Sequence, residues 1–128
     1  MCKAVALGAR LMIQTYIKGN KIVIKIINAS INIFTSNDLA KFLYKIPIDS
    51  DENIVIDMGE VIDIDSSGLG QLIRFWQHLR SNNCRMALVN CSPKIDLVLR
   101  TTNVSKMIPV YSSVDEAWPL VKENNIQN

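Results

Sequence analysis

Two adjacent hydroxyls behind a carboxylate, Asp65-Ser66-Ser67, run directly into Gly68-Leu69-Gly70. No other short segment of the chain combines residue types and spacing that suggest chemistry as strongly. A serine hydroxyl in such a place can cap a helix, accept a phosphate or, beside a base, act as a nucleophile. The nucleophile role fails. The single histidine, His78, lies three turns further along the same helical stretch, too far to activate Ser66 and at a solvent-facing position. A dinucleotide role for the glycines fails as well, because Ile73 stands where the third glycine belongs and the leucines fit an apolar stripe. No GxxxxGK[ST] phosphate loop is present. Cys2, Cys84 and Cys91 contain no CxxC pair, and with one histidine they are too few for tetrahedral zinc, so neither metal nor cofactor is expected. What remains is a helix start whose free N–H groups and dipole suit an anion or a partner. Gly68 and Gly70 disfavour that helix by about 1 kcal/mol each relative to alanine, which implies a backbone that must stay approachable. Spacing alone leaves Ser66 and Ser67 as caps or phosphate acceptors, and Asp65 as a cap or a contact.

The elements around this segment follow from patterning. Leu11–Ile17 reads as a strand, Lys18-Gly19-Asn20 as a tight turn, and Lys21–Ile27 as a second strand. In the second strand the isoleucines share one face and the lysines are expected on a solvated one. Thr35 begins a helix, with Asp38 in its first turn and Leu39, Phe42, Leu43 and Ile46 as its buried stripe; Pro47 ends it. Ile54-Val55-Ile56 is a continuous β-branched run of the kind buried on both faces of a parallel sheet. A short loop leads from it to the helix opened by Asp65-Ser66-Ser67, whose stripe is Leu69, Leu72, Ile73, Trp76 and Leu79. Met86–Val89 is a fourth strand, and Ser92-Pro93 caps and starts a third helix on Ile95, Val98 and Leu99. Asn103 suits a left-handed stop. A short strand near Ile108–Tyr111 precedes Ser113-Val114-Asp115-Glu116, a capping box for a last helix that Pro119 would kink. Trp118 is expected to pack on the sheet or to serve as a partly exposed anchor. The order ββαβαβα(β)α predicts an α/β fold: a mixed sheet of four to five strands, antiparallel in its first pair and mostly parallel after, covered by about four helices.

Composition bounds the function. With 128 residues the chain is one domain, large enough for its own core. Apolar residues at 48% and charged residues at 20% exclude a disordered tail and a disulfide scaffold. The net charge of +2 is small, and the charges alternate along the chain instead of forming blocks, so little steering toward a polyanion and no direct nucleic-acid partner are expected. No stretch approaches the 18 or so apolar residues of a membrane span, and residues 1–13 are interrupted by Lys3 and Arg10, so no membrane insertion is expected. Unpaired thiols point to a cytoplasmic protein.

Asp65-Ser66-Ser67-Gly68-Leu69-Gly70, with the stripe that follows it, resembles the signature of STAS domains of the anti-sigma factor antagonist family. Leu88-Val89-Asn90-Cys91-Ser92-Pro93, the segment 99–110 and the closing Ser113–Ala117 are similar to that family too. The resemblance spans about residues 12–123 and implies one STAS domain at 11–124, with residues 1–10 an ill-defined extension and 125–128 a tail. It implies a non-enzymatic partner switch. The unmodified protein binds an anti-sigma factor that is also a serine kinase and so frees a sigma factor. The kinase phosphorylates Ser66, which weakens the complex, and a metal-dependent serine phosphatase resets it. The implied recognition surface joins the loop Ser30 to Thr35, with Asn32 and Thr35 as contacts, to the helix turn Asp65 to Leu69, with Asp65, Ser67, Gly68 and Leu69 as contacts. Ala29-Ser30-Ile31-Asn32 stands where many members carry Gly-Glu-Leu-Asp. Two other readings accompany this one: a non-phosphorylated scaffold in a transporter or sensory assembly, and a nucleotide- or anion-binding module.

Overall fold

The computed structural model describes residues 2–7, 11–27 and 29–118. In chain order the elements are β1 (Cys2–Leu7), β2 (Leu11–Lys18), β3 (Lys21–Ile27), β4 (Ala29–Ile31), α1 (Ser36–Lys45), β5 (Asn53–Asp57), β6 (Val61–Ile64), α2 (Ser66–Ser81), β7 (Arg85–Val89), α3 (Pro93–Thr101), a 3-10 turn (Val104–Lys106) and β8 (Val110–Tyr111). Six strands form one sheet in the order β1-β2-β3-β5-β7-β8. The β1/β2 and β2/β3 pairs are antiparallel, and β3/β5, β5/β7 and β7/β8 are parallel. The expected mixed sheet with an antiparallel start is therefore present. Residues 2–7, for which the sequence reading has no element, add a sixth strand by pairing with residues 11–16 of β2.

Register lays the core out in rows. Ile24, Ile56 and Leu88 lie side by side across β3, β5 and β7, and all three are fully buried beneath the helices. Leu39 and Leu43 of α1, Leu72, Phe75 and Leu79 of α2, and Ile95 and Leu99 of α3 close over that face. Burying side chains of this size stabilises by roughly 1.5–3 kcal/mol each before chain entropy is counted. On α2 the deeply buried aromatic is Phe75, while Trp76, expected in the core, is half-buried with the Arg80 guanidinium 4.9 Å from its ring centre. Steps of three and four residues both continue the stripe from Leu72, and the packing selects the first.

The opposite face of the sheet carries Val23, Val55, Ala87 and Val89, closed by Val114 and Ala117. Here the expected solvated lysine face is not found. Lys21 is only 4% exposed, because the turn at residues 113–118 lies over it and its Nζ donates to the Val114 carbonyl at 2.7 Å. Desolvation lowers the Lys21 ammonium below the ordinary lysine value, against the pull of Asp115. Lys25 is half-buried and pairs with Glu60 at 3.3 Å. The expected last helix does not form within the described residues. Ser113 does accept from Glu116 N at 3.3 Å, as a cap would, but the chain continues only as turns to Trp118. Trp118 is half-buried against Tyr111 and Arg85, and Pro119 lies outside the described residues. The described helices are thus three α-helices and one 3-10 turn.

Helix ends obey local chemistry. Ser92 Oγ accepts from Ile95 N at 3.2 Å with Pro93 in the first turn, and Asn103 is left-handed at φ 64°. At the end of α2, left-handed Asn83 lets Cys84 N reach the Leu79 carbonyl at 2.9 Å, which turns the chain back into β7.

Candidate functional site

The short loop expected before α2 contains a strand of its own. β6 pairs in parallel with β4, setting Ser30 opposite Asp63 and Ile31 opposite Ile64. The ladder ends in one further bond, Asp65 N donating to the Ile31 carbonyl at 3.0 Å. This two-stranded sheet brings the loop at residues 30–35 against the start of α2, so the two halves of the expected recognition surface do meet.

Asp65 is the N-cap of α2. Its backbone is extended, and its Oδ1 accepts from Ser67 N at 2.9 Å and Gly68 N at 3.1 Å. Capping is therefore done by the carboxylate and not by Ser67, which sits half-buried inside the first turn. Ser66, the first helical residue, is exposed. The cap also occupies N–H groups that a bound anion would need, which weakens an anion-site reading of this helix start.

Gly68 is approached closely, but by the protein itself. A Cβ there would lie 2.5 Å from Ile31 Cγ2, 2.7 Å from the Ile31 carbonyl oxygen and 2.8 Å from Ile64 Cγ1. Gly68 is buried between those residues, and Leu69 beside it is 8% exposed. Neither offers a broad surface to a partner. Gly70 differs: its nearest neighbour would be an Arg74 guanidinium nitrogen at 3.4 Å.

In the loop, Thr35 is buried and its hydroxyl does two jobs. It donates to the Ser30 carbonyl at 2.7 Å and accepts from Asn32 N at 3.0 Å. Thr35 occupies the N-cap position of α1 without capping through its side chain. Asn32 Oδ1 accepts from Phe34 N at 2.8 Å, an Asx turn that an aspartate would make equally well. Ser30, Asn32, Phe34 and Thr35 line an open cleft of about 370 Å³. Phe34, which lines it, is 69% exposed and its neighbour Ile33 66%; Ile62 of β6 is 56% exposed. The sequence range 30–35 includes Ile33 and Phe34 without distinguishing them; two consecutive apolar residues between Asn32 and Thr35 are the signal.

Among the described residues no group of three His, Cys, Asp or Glu side chains is placed to hold a metal. His78 is exposed and its ring lies 5.0 Å from that of Tyr44, well away from Ser66 in the helix. Cys84 is buried with Sγ donating to the Asp49 carbonyl at 3.1 Å. Burial, with Asp96 and Asp57 adding to it, pushes the Cys91 thiol up to about 12, so it is a poor nucleophile. No described helix is long and apolar enough to cross a membrane.

Comparison with known proteins bears on the fold and the family. A Thermotoga maritima protein provisionally named an anti-sigma factor antagonist is 26% identical over 102 residues, 79% of this chain and 90% of its own. The structure of an anti-sigma factor antagonist (STAS) domain protein from Planctomyces limnophilus superposes with a TM-score of 0.74 at 24% identity, covering 82% of this chain and 93% of its own. The anti-sigma factor antagonist SpoIIAA in its unphosphorylated form gives a TM-score of 0.55 at 16% identity over 81% of this chain and 91% of its own. The STAS domain family model matches residues 12–117, most of the chain. The chain therefore belongs to the STAS domain family.

Proposed function

We propose that this STAS domain is an anti-sigma factor antagonist that works by partner switching, with Ser66 as the modified residue. Unmodified, it binds an anti-sigma factor that is also a serine kinase and so releases a sigma factor. Phosphorylation of Ser66 weakens that complex, and a metal-dependent serine phosphatase restores it. The observation that carries the reading is the exposure of Ser66 at the start of a helix that the Asp65 N to Ile31 O bond ties to the loop bearing exposed Ile33 and Phe34. Similarity to anti-sigma factor antagonists, one of them described in its unphosphorylated form, supports it.

The capped helix start favours a surface mechanism. A phosphate on Ser66 brings about −1.5 to −2 charge, and the adjoining N–H groups already belong to the Asp65 carboxylate. The new charge thus stands at an exposed position next to the Asp65 carboxylate, where a partner built against a hydroxyl would meet it desolvated. A loss of about 4 kcal/mol weakens binding roughly a thousandfold, within what an unpaired interfacial charge costs.

Intact-mass analysis and phosphopeptide mapping of the protein from its native cells test the assignment. Phosphate on Ser66, absent from Ser66→Ala, is the expected result; phosphate on Ser67 moves the site by one residue. No phosphate under growth or stress, together with unchanged partner capture by Ser66→Asp, would leave the scaffold reading in its place.

A further inference from the structure

Charges that alternate along the sequence segregate in space. α1, α2, α3 and the 3-10 turn carry seven lysines and arginines but only two aspartates, Asp38 and Asp96. That layer is +5 while the whole chain is +2, so everything else sums to −3. α2 has no acidic residue in its 16 positions. Ion pairing repeats the division. Lys18 and Lys25, outside the layer, are paired with acids, and so is Arg100. Lys41, Lys45, Arg74, Lys94 and Lys106 are exposed and make no ion pair among the described residues. Apolar side chains stand among these cations: Tyr44 is 47% exposed, Leu97 52% and Met107 40%.

We propose that the outer face of this helical layer adsorbs peripherally to an anionic phospholipid surface. The cations come from four separate elements and not from one helix or the walls of a groove, which suits a broad, flat polyanion. Lysines on flexible stems with apolar tips between them suit headgroups above an acyl boundary. A single-stranded nucleic acid would instead call for free aromatic faces for stacking. Here Tyr44 packs against Phe75 and His78, and Trp76 is covered by Arg80. An acidic protein is a poorer match because lysine is depleted from protein interfaces. Ser66 lies at the tip of α2, beyond the charged positions of that helix, so adsorption and the partner switch are independent.

The test is sedimentation of the full chain with vesicles of phosphatidylcholine alone or mixed with an equal part of phosphatidylglycerol, at low and at high salt. Binding to the mixed vesicles alone, lost at high salt, is expected. Lys41→Glu/Arg74→Glu should weaken it at least tenfold while leaving the circular dichroism spectrum and partner capture unchanged. Lys94→Glu/Lys106→Glu, on different elements, should act likewise and serves if the first pair misfolds. Failure to bind mixed vesicles, or equal binding by both charge-reversed pairs, overturns the proposal. Binding to an oligothymidylate or to polyglutamate without vesicle binding overturns it too, and reassigns the face.

Discussion

Replacing Gly68 and Gly70 separately by alanine pits helix propensity against packing at two positions one half-turn apart. Propensity alone favours both substitutions by about 1 kcal/mol. At Gly68 the added methyl would sit 2.7 Å from the Ile31 carbonyl oxygen, a backbone atom that no rotamer change can move aside. Relief requires α2 to back away from β4. That overpacking costs about 1–3 kcal/mol, and stretching the Asp65 N to Ile31 O bond costs about 1 more. The net expectation is a loss of about 2 kcal/mol, a fall in Tm of roughly 8 °C for a domain of this size. At Gly70 the methyl meets only the end of the flexible Arg74 side chain, so propensity prevails and stability is unchanged or rises by up to about 1 kcal/mol. Urea unfolding followed by circular dichroism measures both variants on one scale. If Gly68→Ala proves as stable as the parent, the close approach of α2 to β4 is wrong, and with it the account of how the loop and helix meet. If both variants lose stability equally, the glycines serve something other than the contacts described.

Three further outcomes follow from the same geometry. Asp65→Ala should destabilise by about 1 kcal/mol in urea while Asp65→Asn, which keeps the accepting oxygen, should cost much less. Thr35→Val leaves the Asn32 N–H without its acceptor and should cost about 1–3 kcal/mol; Thr35→Ser keeps both bonds and should recover most of it, as thermal melting will report. Cys91, raised to about 12, should react with iodoacetamide near pH 8 about a hundredfold or more slowly than in the urea-unfolded chain. Its linkage has a definite sign. The unfolded thiol ionises first, so this group's contribution is fully present below about 9 and is lost as pH rises toward about 12; a Cys91→Ser variant should lack that alkaline decline in the urea midpoint.

What could be read from sequence was local. The buried run at Ile54–Ile56, the Ser92-Pro93 cap and left-handed Asn103 depend on neighbours within a few positions, and the structure has them as expected. Features that depend on distant segments were not legible. The lysine-bearing face of β3 looks solvated until the turn at 113–118, more than 90 residues away, is laid over Lys21. β4 and β6 are too short, at 3 and 4 residues, to show a period, so their pairing was invisible although it assembles the site. The helix-start glycines imply an approachable backbone, but the approaching group at Gly68 is Ile31 of the same chain. Spatial segregation of charge onto the helical layer leaves no trace in a sequence where the signs alternate.

The Ile31 carbonyl has one further consequence. It fastens segments about 35 residues apart through a single bond to Asp65 N, while Gly68 packs against the same peptide. The loop that carries Ile33 and Phe34 and the helix that presents Ser66 are thereby joined at Ile31 as part of the fold itself. A partner docking there loses little conformational entropy on the protein's side, so association should be close to lock-and-key. In the switch proposed above, discrimination between the unmodified and phosphorylated states would then arise from the group at Ser66 itself and not from a rearrangement of the fold beneath it.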